Sequence, residues 1–453
     1  QHICSSSSCA CSHTCSSMAP LRSAVLAACW ASLAVATDVY VMLPLDTVTS
    51  AGTLKDERGL GAQLDKLKEA NVDGFMADVW WGITERSPKT YDFNSTKELV
   101  RMARDRGMSV QLVASFHECG GNVGDACDIP LPAFLQPHED IWFKDQAGHE
   151  DREYLSIFAD NVSINGRTPV TMYADWFSAL AAALAEDMGS TIKQIQVGLG
   201  PAGELRYPSY QLSQWKFCGI GAFQCWDAHA LASFAAAARA AGRGYDSPPR
   251  DAGSYDDRPR GAPFWQAGYS SDYGKFFLDW YFSSLKSHGK AVLAAANKAF
   301  KGEVKIAAKI SGIHWWYKDP THPAEMTAGY YNMNGRDAYA ELTKEVFAPN
   351  AASVDFTCIE MKDSEQDASC GSGPQELVQQ VLSSAKAVGL PFAGENALPR
   401  YDAAAYGQIE SYRSSMASFT YLRLGNDLLQ GSNFDNFKDF VNRMRNGQTV
   451  IQV

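Results

Sequence analysis

The chain has 453 residues, of which 46% are hydrophobic and 20% charged, and carries a formal net charge of −11. That length and apolar share suffice for one large core or two modest ones. The acidic balance argues against a nucleic-acid partner, whose phosphates demand a basic face, and fits a neutral substrate such as a sugar.

Residues 1–17 are a Ser/Cys-rich leader without apolar periodicity, expected to lie outside the fold and outside the natural product. From Met18 a basic residue, Arg22, precedes an apolar run from Ala24 to Ala36 that closes on Ala34-Val35-Ala36. This is the layout of a secretory signal peptide over residues 18–36. A membrane anchor would need about 20 apolar residues, and a strand-like run starts at once at Val39. The mature form, residues 37–453, is therefore expected free of the membrane. Secretion or ER routing is the leading address, with a plastid as another destination of an ER signal. Oligomeric state is not legible.

Eight short apolar, β-branched runs follow: Val39–Leu45, Gly74–Trp81, Ser109–His117, Gln194–Gly200, Val304–Ile313, Ser353–Glu360, Pro391–Glu395 and Ser418–Leu424. Continuous apolar runs suit strands buried on both faces of a parallel sheet. Helical patterns lie between several of them. Leu60, Leu64 and Leu67 share one face, Ser95-Thr96-Lys97-Glu98 is a capping-box pattern ahead of Leu99, Met102 and Ala103, and Leu377, Val378, Val381, Leu382 and Ala385 form another stripe. Eight strands alternating with helices predict an α/β fold, a single (β/α)8 TIM barrel. An open doubly wound sheet competes, but the first strand-to-helix turn lacks GxGxxG and no GxxxxGK[ST] occurs. The connections 118–175 and 205–275 are long, rich in Gly, Pro, Asp and Tyr, and mostly aperiodic. Loops of this length in a compact domain are usually functional, and these are expected to build a cleft over the C-terminal face of the strands.

Of eleven cysteines, six lie beyond residue 36: Cys119, Cys127, Cys218, Cys225, Cys358 and Cys370. They fall into three local pairs, readable as disulfides in an exported protein or as buried thiols. No CxxC or Cys/His ligand spacing points to zinc. Asn94-Ser95-Thr96 and Asn161-Val162-Ser163 are glycosylation acceptors only if the signal reading holds.

Chemistry concentrates in two glutamates. Glu204 in Gly198-Leu-Gly-Pro-Ala-Gly-Glu204 and Glu395 in Gly394-Glu395-Asn396 each close an apolar run beside a Gly/Pro-marked turn, where barrels keep their active sites. Two carboxylates on facing walls suit cleavage of a glycosidic bond; two buried glutamates in ion pairs are the plain alternative. Asp78 beside Trp80 and Trp81 reads as a sugar-hydroxyl acceptor next to a stacking platform, or as a helix cap. His117 precedes Gly120, Gly121 and Gly124, a loop suited to a lid. Lys309, on the wall facing Glu395, would favour its ionised form or serve a structural ion pair. Thr357 and Arg423 say little alone.

These motifs together closely resemble the β-amylases, exo-acting α-1,4-glucan maltohydrolases, from about Val39 to about Met444. The resemblance is carried by segments 39–45, 120–125, 198–210, 311–317, 372–382 and 394–401. It implies Glu204 as general acid, Glu395 as general base, and Asp78, His117, Asp125, Lys309, His314, Thr357, Asn396, Ala397 and Arg423 as substrate-binding positions. It further implies a flexible lid over Gly120–Cys127, a mobile inner loop at Thr357, an α-1,4-glucan substrate, inversion to β-maltose, and no metal or other cofactor. The apparent export signal and Cys127, Cys218 and Cys370 depart from the pattern, and Cys127 is placed to lock the lid to Cys119. A retaining glycosidase on the same barrel and a non-catalytic glucan-binding protein are the competing readings.

Overall fold

The computed structural model describes residues 36–446 except 123 and 334. The leader and, apart from Ala36, the signal-peptide reading lie outside the described residues.

Eight parallel strands close on themselves: β1 (Asp38–Met42), β2 (Gly74–Trp80), β3 (Ser109–Ser115), β4 (Ile192–Val197), β5 (Lys305–Ile310), β6 (Ser353–Phe356), β7 (Phe392–Glu395) and β8 (Ser418–Tyr421). Consecutive strands are neighbours, and β8 returns to β1 with Asp38 opposite Ser418 and Val41 opposite Tyr421. Each apolar run in the sequence thus becomes one staff of a (β/α)8 barrel. Helices cover the outside, among them Glu57–Glu69, Asn94–Asp105, Pro169–Ala183, Asp272–Phe300, Pro374–Ala387, Ala403–Ser411 and Gly431–Asn446. Their apolar faces, Leu60, Leu64 and Leu67 in the first and Leu377, Val378, Val381 and Ala385 in the fifth, join the outward side chains of the strands in the main core.

The lumen is less apolar than the runs suggest. In β4, Ile195 and Val197 pack outward, whereas Gln194 crosses the lumen to Asp355 of β6 at 3.0 Å. Gln111 of β3 accepts from the Thr420 hydroxyl of β8 at 3.1 Å. A small separate cluster of Met42, Met76 and Val113 fills the interior next. Two residues further along β2 and β3, Met76 and Val113 give way to Asp78 and Ser115, joined by a 2.7 Å hydrogen bond. The period of two along a strand therefore carries the lumen from a polar floor through an apolar plug to a polar mouth.

Three local expectations change. The capping box is not formed: the helix starts at Asn94, Asp92 accepts from the Asn94 N–H at 2.9 Å, and the Ser95 hydroxyl is drawn to the Gly52 carbonyl. The supposedly aperiodic loops hold regular structure, a hairpin of Trp142–Lys144 with Glu150–Leu155 and a helix Ala228–Ala240 capped by Asp227. The alanine-rich helix has too few large apolar residues to show a stripe.

Of the local cysteine pairs only Cys119–Cys127 forms; Cys218 joins Cys370 instead, and Cys225 and Cys358 are buried thiols. Trp316 explains the long-range choice. Its backbone N–H donates to the Cys370 carbonyl at 2.8 Å and its indole N–H to the Cys218 carbonyl at 2.7 Å, so one residue after β5 gathers both loops. The Cα atoms then stand 5.9 Å apart, within ordinary disulfide reach. Because this bridge closes a long loop, Cys370→Ser is expected to cost the oxidised protein about 2–4 kcal/mol in urea unfolding. Adding a thiol reductant should erase the difference; equal unfolding midpoints without reductant would show that the bridge carries no stability.

Candidate active site

β7 ends on Glu395, whose side chain is buried at the C-terminal mouth of the barrel. The Lys309 ammonium, from β5, approaches Oε2 to 2.5 Å, off hydrogen-bond alignment, and Oε1 has no hydrogen-bond partner in the protein. Burial works against the charge on Lys309, but Glu395 and then Glu204 outweigh it and hold the ammonium above its ordinary pKa. Asp355 of β6 lies opposite Lys309 in the register. Burial first, and Glu395 second, push its carboxyl well above the usual range, with Lys309 opposing them.

Glu204 does not sit at the end of β4. Six residues separate it from Val197, and the chain turns at Pro201–Gly203 before Glu204 comes back alongside Lys309. The Leu205 N–H donates to the Lys309 carbonyl at 2.9 Å. Within the turn, a side chain on Gly200 would collide with the Glu204 and Arg206 carbonyl oxygens. The Ala202 N–H is held at 2.7 Å by the buried Glu153 carboxyl. Glu204 Oε2 accepts from Arg206 Nε at 2.7 Å and from the Tyr210 hydroxyl at 3.4 Å. One lysine thus has the first glutamate on its backbone side and the second on its ammonium.

The other positions surround this pair to differing degrees. Asp78 is raised by burial, partly offset by the Arg423 guanidinium and the Ser115 hydroxyl, and its Oδ2 has no protein partner. His117 packs edge-on to Trp80 with centroids 5.1 Å apart, beside the Glu204 turn at Gly203. His314 lies against Trp315 and Phe217. Thr357 is pressed onto Gly312, where a Cβ would stand 2.8 Å from its methyl; only glycine admits that approach. Asp125 Oδ2 accepts from the backbone N–H groups of Gly120, Gly121 and Asn122 at 2.9, 3.1 and 3.1 Å, gathering the loop into a tight turn. Asn396 and Arg423 mainly fasten backbone. The Asn396 amide bonds both the carbonyl and the N–H of Leu422, at 2.6 and 2.8 Å, and Arg423 bonds the Leu43 carbonyl at 3.0 Å. The Ala397 N–H donates to the Glu360 carboxylate at 3.0 Å.

Several contributors carry no assignment from sequence. Arg206 and Tyr210 lie inside the 198–210 motif, and their spacing of two and six from Glu204 was the available signal. Glu360, which also takes the Leu398 N–H at 2.7 Å, and Asp355 flank Thr357. Glu153 arises from the hairpin, where nothing in the sequence marked it.

Loss of solvent pushes both His117 and His314 down to about 4. The unfolded chain titrates near the ordinary value of about 6.5. Each neutral ring therefore contributes stability that is fully present above about 6.5 and is lost as pH falls toward about 4. His314→Asn should accordingly lose less melting temperature than the unsubstituted protein between about pH 6.5 and 4.5; parallel curves would count against a buried neutral ring.

A family model described as glycosyl hydrolase family 14 matches residues 40–449. A β-amylase of Vigna unguiculata is 47% identical over 437 residues, 91% of this chain and 88% of that protein. A β-amylase of Glycine max is 46% identical over 433 residues, 90% of this chain and 87% of that protein. Among solved structures, the catalytic domain of β-amylase from Paenibacillus polymyxa superposes with a TM-score of 0.77 at 32% identity, covering 91% of this chain and all of that one. With a family match that spans nearly all the described residues, the chain belongs to glycosyl hydrolase family 14.

Proposed function

We propose that Glu204 acts as the general acid and Glu395 as the general base in an inverting hydrolysis that releases β-maltose from the non-reducing ends of α-1,4-glucans. The family and the relatives make the chain a maltose-releasing, exo-acting glycoside hydrolase of starch. The assignment of roles rests on one observation: Lys309 pairs with Glu395 through its ammonium while its backbone carries the strand-like segment of Glu204.

In this reading the Lys309 ammonium stands against Oε2 of Glu395, whose unpartnered Oε1 takes a proton from the attacking water. Glu204, with Oε2 occupied by two donors, protonates the glycosidic oxygen on the other face of the sugar. Water attacks rather than carboxylate, so the anomeric configuration inverts, and the carboxyl separation expected is about 6.5–9.5 Å. Asp78, His117, His314, Thr357, Ala397 and the remaining positions named above are assigned to the glucan in this reading. The Gly120–Cys127 loop borders a cavity of about 580 Å³ shared with Glu118, Asp151 and Ser213, which gives it room to move as a lid.

Glu204→Gln is expected to abolish hydrolysis of maltoheptaose while retaining measurable binding by calorimetry; near-normal turnover would refute the acid assignment. NMR of freshly released maltose, read before mutarotation, should show the β anomer, and an α product would replace inversion with a retaining pathway. Asp125→Ala removes the acceptor that gathers three loop N–H groups, so it should act mainly through substrate binding and closure. An unchanged KM and kcat would sink that role for the loop.

A further inference from the structure

We propose that Arg206 is the positioning residue of the acid: it orients Glu204 and makes that orientation depend on docking of the Gly120–Cys127 loop. The inference rests on Glu204 being the acid. Arg206 is 1% exposed, and its planar fork is engaged at all three nitrogens. Nε donates to Glu204 Oε2 at 2.7 Å, Nη2 to Asn122 Oδ1 at 2.9 Å and Nη1 to the Tyr207 carbonyl at 3.2 Å. Because the guanidinium is rigid and planar, fixing two of its edges fixes the third. One of those edges belongs to the loop, since Asn122 is a buried member of it and donates its own N–H to Asp125.

The geometry also selects which oxygen of Glu204 works. Arg206 lies over the ring of Tyr210, 4.1 Å from its centroid, and the Tyr210 hydroxyl reaches the same Oε2 while also bonding Ser311 at 2.9 Å. An oxygen filled by two donors is the carbonyl-type oxygen of a carboxylic acid. The proton then belongs to Oε1, which is the atom that delivers it to the leaving oxygen. The positive charge is shared with the Asn122 and Tyr207 oxygens and with nearby Glu153, so it is not committed to Glu204 alone. When the loop lifts, Asn122 withdraws from Nη2 and the fork is free to turn. Acid alignment and loop docking become one event, so Glu204 is aimed only when the site is covered.

The experiment compares maltoheptaose, whose leaving oxygen needs a proton, with α-maltosyl fluoride, whose fluoride departs with little protonation. Arg206→Lys keeps the charge but loses the fork. Well-placed general acids contribute about 10²–10⁴-fold, so kcat on maltoheptaose should fall about 10- to 100-fold. On the fluoride, kcat should stay within about threefold, because water attack is untouched. Asn122→Ala should show the same split at smaller amplitude. Unchanged kcat on maltoheptaose, or equal losses on both substrates in a folded variant, would overturn the proposal. Should Arg206→Lys fail to fold, Tyr210→Phe, which keeps the ring and removes one donor to Oε2, carries the same expectation and the same refutation. Glu204→Gln separates the two levels. If it still hydrolyses maltoheptaose, the acid assignment falls; if it is inactive while Arg206→Lys and Asn122→Ala show no split, this inference alone falls.

Discussion

Lys309 links the two halves of the site. A carboxylate as buried as Glu395 is costly to hold ionised unless a cation is delivered to it. The barrel supplies that cation from β5, across β6, whose own carboxyl at Asp355 is pushed upward by burial. The same residue receives the Leu205 N–H on its backbone oxygen, which brings the Glu204 segment back to the barrel wall after its excursion beyond β4. Ion pair and backbone pairing meet at one position, so moving β5 would displace both glutamates together.

Around that pair, polar side chains of the rim fasten one loop to the next. Asn396 ties the end of β7 to the end of β8, Glu360 holds the turn at Ala397 and Leu398, and Trp316 draws the Cys218 and Cys370 loops together. Each satisfies backbone groups that a buried loop would otherwise leave unpaired. A wall built this way holds its shape without regular structure, which suits a site that must place water and sugar against two fixed carboxyl groups. The Gly120–Cys127 loop is the exception. Asp125 and the Cys119–Cys127 bridge give it internal shape, while its one described tie to the acid runs from Asn122 to Arg206.

The lumen shows how one strand pattern serves two tasks. Outward residues of β4 such as Ile195 and Val197 build the main core, and inward ones such as Gln194 pair across the barrel. Had every inward position been apolar, the mouth would lack the graded change from Met76 and Val113 to Asp78 and Ser115 that opens it to a polar substrate.

Sequence alone determined the eight strands and the barrel, because buried parallel strands leave uninterrupted apolar runs and their helices leave periodic stripes. It also marked Glu395, Asp78, His117 and Lys309, since residues at strand ends sit at one face of a barrel whatever the loops do, and Glu204 through its Gly/Pro-marked turn. Tertiary structure alone decided the rest. Cys218 found Cys370 rather than Cys225 because Trp316 gathers two loops far apart in the chain. Glu153 and Glu360 gained their roles from neighbours no local spacing connects, as did the Arg206 contact with Asn122. Strand order follows from hydrophobic burial, which acts on every residue of a run; hydrogen-bond partners are set by a few ångströms of three-dimensional approach, and the chain does not write those distances locally.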